Sequence, residues 1–282
     1  MIDNQSISFP PFSVLLSLYK KEKPEYLEEA LDSIFSQTVK SDDVVLVEDG
    51  TLPQELEDVV YKYEKIHPEL HVVRFEHNRG LGVALNEGMP YCRHDIIARA
   101  DTDDINHFDR FERELKILID HPDYDLVSSW VDEFIDTPQN IRSQRKIPEK
   151  PEEIYQYGKH RCPVNHPVAM YRRNTIKQVG GYQTDLFPED YFLWMKMLKA
   201  GSKFYNIQES LLSFRYNPDT VKRRGGWKYA IDEAKTQWKA YRQLHYLSFA
   251  DFCINVSVRF TTRIIPSRFR QLVYAAIRKF AK

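Results

Sequence analysis

The sequence predicts an α/β protein with a mostly parallel central sheet flanked by helices, and two patterns carry that expectation. Short apolar runs alternate with stretches of helical periodicity through the first hundred residues, the order that builds parallel strands with right-handed crossovers. Acidic residues follow two of those runs, and open α/β sheets bind ligands beyond the carboxyl ends of their strands. The 282 residues, with 29% charged and 42% hydrophobic, suffice for one large core and argue against disorder except at the ends.

The run from Ser13 to Leu18 (SVLLSL) reads as a strand buried on both faces. Pro24 suits a first helical position, and Leu27, Ala30, Leu31 and Ile34 after it fall at i, i+3, i+4, i+7, one helical stripe. Val44 to Val47 is a second strand, closed by the turn signal Glu48-Asp49-Gly50. Leu56, Val59, Val60 and Tyr63 repeat the stripe, and His71 to Phe75 is a third strand. A turn at Asn78-Arg79-Gly80 leads into a helix over Leu81 to Met89, and Asp95 to Ala98 is a fourth strand, followed by Asp101-Thr102-Asp103-Asp104. Asp49 and the Asp101 group should therefore share one edge of the sheet. Farther on, Asp125 to Val131 and VAMY after Pro167 read as strands, and Thr137 to Lys159, charged and proline-containing, as loop. Gly180-Gly181 marks a break, and Pro188-Glu189-Asp190 opens an amphipathic helix ending near Gly201.

Several classes are excluded. Three widely spaced cysteines, Cys92, Cys162 and Cys253, form neither a disulfide framework nor a zinc pattern, which suits a reducing compartment. The N-terminus lacks the charge and apolar run of a secretory signal, and no run of 18 apolar residues is present to span a bilayer.

Three carboxylates in four residues, Asp101, Asp103 and Asp104, repel one another unless a hard divalent cation sits among them. The alternative is an acidic turn leading into the next helix, since Asp is common in both settings. Five segments, in order, decide the direction of the reading: SVLLSLYKKEKPEYLEEALDSIFSQT, VVLVEDG, NRGLGVALNEG, ARADTDD and FPEDYFLWMKMLKAG. Together they resemble the family-2 glycosyltransferases of the GT-A fold, over about residues 12 to 215.

The resemblance implies an inverting transfer of a hexose or N-acetylhexosamine from a UDP-sugar, dependent on Mn2+ or Mg2+. It places Asp49 on the uracil base, Ser17 beside the nucleoside, Asp103 as the direct metal ligand and Asp101 by the ribose or the metal's waters. Glu48 stands where many relatives carry a second Asp. Arg79 could approach base or diphosphate, because a guanidinium matches phosphate geometry, or be a solvated loop cation. Asp190 matches the general base, and Glu189 would orient the loop or the acceptor. His166, in Asn165-His166-Pro167, could contact acceptor or diphosphate, or be structural. Trp194, one turn after Asp190, could stack on a sugar or fill the core.

The expected organisation is a catalytic unit over 1–220 and a helical extension over 221–282. From Phe252 to Lys282 there is no acid, and after Pro266 the residues Phe269, Leu272, Val273, Ile277 and Phe280 line one helical face beside Arg268, Arg270, Arg278 and Lys279. Such a segment reads as membrane-surface binding or as a docked terminal helix. The expected partners are a UDP-sugar, a saccharide on a polyprenyl diphosphate and the inner face of the cell membrane, as in bacterial O-antigen, capsule or exopolysaccharide synthesis. Nucleic acid is not expected, for want of a recognition motif. A nucleotidyltransferase, which would want a Gly-rich loop where Leu18-Tyr19-Lys20-Lys21-Glu22 stands, and a non-catalytic sugar-binding relative are the alternatives. A phosphohydrolase is disfavoured because the Asp-x-Asp follows the fourth strand, not the first.

Overall fold

The computed structural model describes residues 8–186, 188–216 and 226–264. Strand β1 (Ser13–Leu18) leads into α1 (Pro24–Phe35), β2 (Asp43–Glu48) into α2 (Gln54–Ile66), and β3 (Leu70–Arg74) into α3 (Leu81–Gly88). Then come β4 (Ile96–Arg99), the short β5 (Ile105–Asn106), α4 (Arg110–Asp120), β6 (Leu126–Phe134), β7 (Ile141–Arg145) and α5 (Pro151–Gly158). Next are β8 (Met170–Arg172), α6 (Arg173–Gln178), α7 (Glu189–Lys199) and β9 (Phe204–Arg215), and α8 (Trp227–Arg242) and α9 (Phe249–Ile264) close the described chain.

One sheet holds all nine strands in the order β3-β2-β1-β4-β8-β6-β9-β5, with β7 added on β6. The four strands of the first half pair in parallel. The second half is mixed: β8 runs antiparallel to both β4 and β6, while β6 and β9 are parallel. Alternate residues of β1 and β2 face opposite layers. Val14, Leu16, Val44 and Leu46 join one apolar cluster with α1, α2 and α4, and Leu15, Val45 and Val47 join another with α3 and α7. Burial on both faces is why these strands read as continuous apolar runs.

One expectation needs correcting. The stretch expected as loop from Thr137 to Lys159 holds β7 and α5. Strand β7 (IRSQR) presents exposed or half-exposed side chains and is fixed by its pairing with β6. Helix α5 buries only Ile154 and Gly158, too little for an apolar stripe to register in the sequence. Trp194 is fully buried, edge-on to Phe204 and His166, so it fills the core and offers no face to a sugar. The boundary expected at 220/221 and the amphipathic stretch after Pro266 lie outside the described residues.

Candidate active site

Strand register gathers the acidic turns. Leu15 lies between Val45 of β2 and Arg99 of β4, and Ser17 is level with Val47. Two residues beyond Arg99, Asp101 comes level with Ser17, and Asp49 lies two residues beyond Val47. Both acids leave the sheet at its carboxyl edge, two strands apart, or roughly 10 Å across at the usual strand spacing. Ser17, only partly exposed, sits on the strand between them.

Asp49 is nearly buried and its carboxylate holds the next loop. It accepts from Asn78 Nδ2 (2.9 Å), the Arg79 amide (2.7 Å) and the Gly80 amide (2.8 Å). Gly50 is required beside it: its φ is +92°, and a Cβ there would lie 2.6 Å from the Asn78 amide nitrogen. Arg79 is half-exposed, with its guanidinium paired to Glu87 and lying 4.3 Å from the Phe75 ring centre. A loop cation with a partner of its own thus stands where base or diphosphate was expected to meet it.

After β4, Asp101, Asp103 and Asp104 can each bring one carboxylate oxygen within 4.8 Å of the others. Burial, then the charges of Asp101 and Glu22, push Asp103 up to about 7. Burial, then the charges of Asp103 and Asp101, push Asp104 well above its ordinary value. Asp104 Oδ1 accepts from the Arg215 amide (2.8 Å), whereas Oδ2 is buried without a hydrogen-bond partner among the described residues. An all-oxygen cluster with a destabilised charge and an orphaned carboxylate oxygen fits a hard divalent cation.

A second acidic group stands at the start of α7. Pro188 leads in with extended backbone, and Glu189 and Asp190 occupy the first turn, where the helix dipole favours negative charge. Glu189 is pushed up to about 7, by burial first and Asp190 second, and it also feels Arg99 and Asp101. Asp190 Oδ1 accepts from the Tyr191 amide (2.8 Å), and the Cys162 thiol lies 3.9 Å from Oδ2. Burial and Asp190 raise the Cys162 thiol well above its ordinary range, so it stays protonated.

Sequence reasoning missed four residues that build this site. Arg99, fully buried at the end of β4, pairs with Asp101 and leaves Nε and Nη1 without partners among the described residues. Glu22 donates nothing but accepts from the Thr102 hydroxyl (3.1 Å), making a fourth carboxylate beside the turn. Arg215 closes it from behind, its Nε donating to the Asp103 carbonyl (3.0 Å). Asn86 on α3 binds both the amide and the carbonyl of Tyr182, each at 2.8 Å, and so fixes the approach to α7. The "RAD" of ARADTDD carried a signal for Arg99; the others are brought in from separate elements by folding. His166 is buried, its Nε2 2.9 Å from the Tyr182 hydroxyl, and burial with the Arg99 charge holds it well below its ordinary value, hence neutral. Its ring packs against those of Tyr182 and Trp194.

A parallel half-sheet extended by mixed strands, with an acidic turn at its carboxyl edge and a second acidic pair on a helix start, has the fold of the GT-A glycosyltransferases. The solved structures agree on the fold. Staphylococcus aureus TarS (residues 1–349) in complex with UDP-GlcNAc superposes with a TM-score of 0.65 at 17% identity, over 90% of this chain and 72% of that one. The Pyrobaculum calidifontis mannosyltransferase PcManGT, in complex with GDP-Man and Mn2+, gives 0.64 at 18%, over 96% and 81%.

The family model for glycosyl transferase family 2 matches residues 13–180, and the chain belongs to that family. It is 41% identical over 272 residues to the Escherichia coli UDP-Gal:alpha-D-GlcNAc-diphosphoundecaprenol beta-1,3-galactosyltransferase, covering 96% of this chain and 98% of that protein. It is 35% identical to the amylovoran biosynthesis glycosyltransferase AmsE of Erwinia amylovora, over 95% and 99%. The chain is a glycosyltransferase. Among the described residues no helix is long and apolar enough to cross a membrane.

Proposed function

We propose that the chain is an inverting hexosyltransferase. It moves a hexose or N-acetylhexosamine from a UDP-sugar to a saccharide on a polyprenyl diphosphate, at the inner face of the cell membrane, in surface polysaccharide synthesis. The observation that supports the reading is the turn of three carboxylates, Asp101, Asp103 and Asp104, whose oxygens lie within 4.8 Å of one another at the carboxyl edge of the sheet in a family-2 glycosyltransferase. The likeness to a galactosyltransferase acting on GlcNAc-diphosphoundecaprenol supports the acceptor class, and makes UDP-galactose the first donor to test.

In this reading Asp49 fixes the loop beside the uracil, Ser17 and Arg79 border the nucleoside diphosphate, and Asp101 faces the ribose. Asp103, with Asp101, would hold Mn2+ or Mg2+, whose chemistry is to neutralise charge on the departing diphosphate. Asp190 takes the proton of the acceptor hydroxyl as that oxygen bonds to the anomeric carbon. The bond from that carbon to the diphosphate oxygen breaks, UDP leaves from the opposite face, and the configuration inverts. Glu189, beside Asp190 in the first turn of α7, would orient the loop or the acceptor.

A screen of nucleotide sugars against GlcNAc-diphosphate acceptors, with and without Mn2+, tests the reading. Asp190→Asn is expected to lower transfer by roughly 10^2–10^4 while UDP binding by calorimetry is retained. Transfer at the wild-type rate in that variant would remove Asp190 from the role of base.

A further inference from the structure

Arg99 ends β4 with its backbone clamped on both sides. Its amide donates to the Ala169 carbonyl (2.8 Å), and its carbonyl accepts from Arg110 Nη2 (2.8 Å). It is level with Leu15 of β1, whose side chain belongs to the layer of α3 and α7, so the Arg99 side chain leaves the sheet on that face. The side chain is 1% exposed. Nη2 pairs with Asp101 Oδ1, while Nε and Nη1 have no hydrogen-bond partner among the described residues.

Packing does not explain a buried cation of this kind. A buried ion pair is weak evidence for stability, because an apolar side chain of similar size commonly does as well or better, and two unmet N–H groups add to the cost. The chemistry beside it does explain the charge. Asp101, Asp103 and Asp104 bring carboxylate oxygens within 4.8 Å of one another, and Glu22 adds a fourth carboxylate through its bond to Thr102. The neighbouring arginines are committed elsewhere, Arg110 to Glu114 and Arg215 to Glu29. Among the described residues, Arg99 is the one cation paired with a carboxylate of the turn.

We propose that Arg99 is a positioning residue that holds Asp101 by one carboxylate oxygen and weakens the turn's hold on a divalent cation enough for cation and UDP to exchange at each turnover. The assignment rests on the reading of the turn as the site of cation and diphosphate. Holding Oδ1 leaves Asp101 Oδ2 for the cation or its waters. The guanidinium repels a doubly charged ion among these oxygens with twice the energy that a single charge would meet, and burial keeps salt from screening that repulsion. The groups behind a metal's ligands shift its affinity by about 10–100-fold when replaced, and here loss of the positive charge sets the direction as tighter.

The test uses the full chain, with Mn2+ as the probe. Electron paramagnetic resonance counts free Mn2+ during titration, with and without UDP, and transfer from UDP-galactose to a GlcNAc-diphosphate lipid is followed alongside. Arg99→Gln removes the charge and keeps an N–H for Asp101, whereas Arg99→Lys keeps the charge and loses the planar fork. In Arg99→Gln, Mn2+ is expected to bind at least about ten-fold tighter, with kcat and the KM for UDP-galactose both lowered at least about three-fold. Arg99→Lys should bind Mn2+ within about three-fold of the wild type and recover most of kcat, because the charge is retained. Arg99→Met repeats the titration in case Arg99→Gln perturbs folding, which thermal scanning reports.

Mn2+ affinity that is weaker in both Arg99→Gln and Arg99→Met, with a lowered Tm, overturns the proposal and makes Arg99 a packing residue of the turn. Equal tightening in Arg99→Lys also overturns it, because the charge would then not be the cause. A wild type that takes up no Mn2+, with or without UDP, sinks the cation reading together with the proposal. Normal uptake that the neutral variants leave unchanged sinks the proposal alone and leaves the transferase reading standing.

Discussion

Replacing Asp49 with alanine separates two jobs that one carboxylate can hold. Its three hydrogen bonds, to Asn78 Nδ2 and the Arg79 and Gly80 amides, span 2.7–2.9 Å. Bonds of this kind contribute about 1 kcal/mol each in net terms, and more where the acceptor is charged. Asn78 and Arg79 are exposed, so water can recover part of the loss when the carboxylate is gone. The expected destabilisation is about 3 kcal/mol, a fall in Tm of roughly 6–12 °C for a chain of this size. Because the loop also borders the donor pocket, UDP affinity should drop by at least about ten-fold, equivalent to 1.4 kcal/mol. Thermal scanning and calorimetry on Asp49→Ala read the two effects separately. An unchanged Tm with weakened UDP binding would refute the loop-anchoring argument and leave Asp49 as a base contact alone.

Asp103→Ala should cut Mn2+-dependent UDP binding at least about ten-fold, with metal-free binding little changed; the same metal dependence in the variant would take Asp103 out of the coordination shell. Trp194→Ala should cost about 3–5 kcal/mol by urea unfolding, the loss of a fully buried indole, whereas a change in acceptor KM without loss of stability would restore it to the sugar site. Glu114, fully buried 3.1 Å from Arg110, is pushed up to about 7 by burial. Its folded-state value exceeds the unfolded one near about 4.3, so its contribution is greatest below that pH and is lost as pH rises to about 7, by at most about 4 kcal/mol. Glu114→Gln should flatten stability over that window, and an unaltered slope in denaturation midpoints from pH 4.5 to 7 would assign it to other groups.

The sequence was most legible where burial on both faces forces a simple pattern. β1, β2 and β4 have apolar centres because helices cover the sheet on each side, so their positions, and the acidic turns that follow them, could be read from local order alone. The first turn of α7 was legible for a similar reason: Pro188 and two acids mark a helix start wherever they occur. β7 and α5 were not legible, since one is a polar strand specified by its partner β6 and the other buries two residues. Trp194 was ambiguous at helical spacing, and only packing against Phe204 and His166 placed it inside.

By itself, then, the chain's order of residues determined the fold class, the sheet edge that carries the chemistry and the residue types available there. Tertiary structure decided which charges touch. Arg99 under Asp101, Glu22 beside Thr102, Arg215 behind Asp103 and Cys162 next to Asp190 come from separate elements. Their proximity follows from strand order and helix packing, which depend on contacts between residues distant in the chain. Electrostatic interaction falls with distance and rises with burial, and neither quantity exists until the layers close.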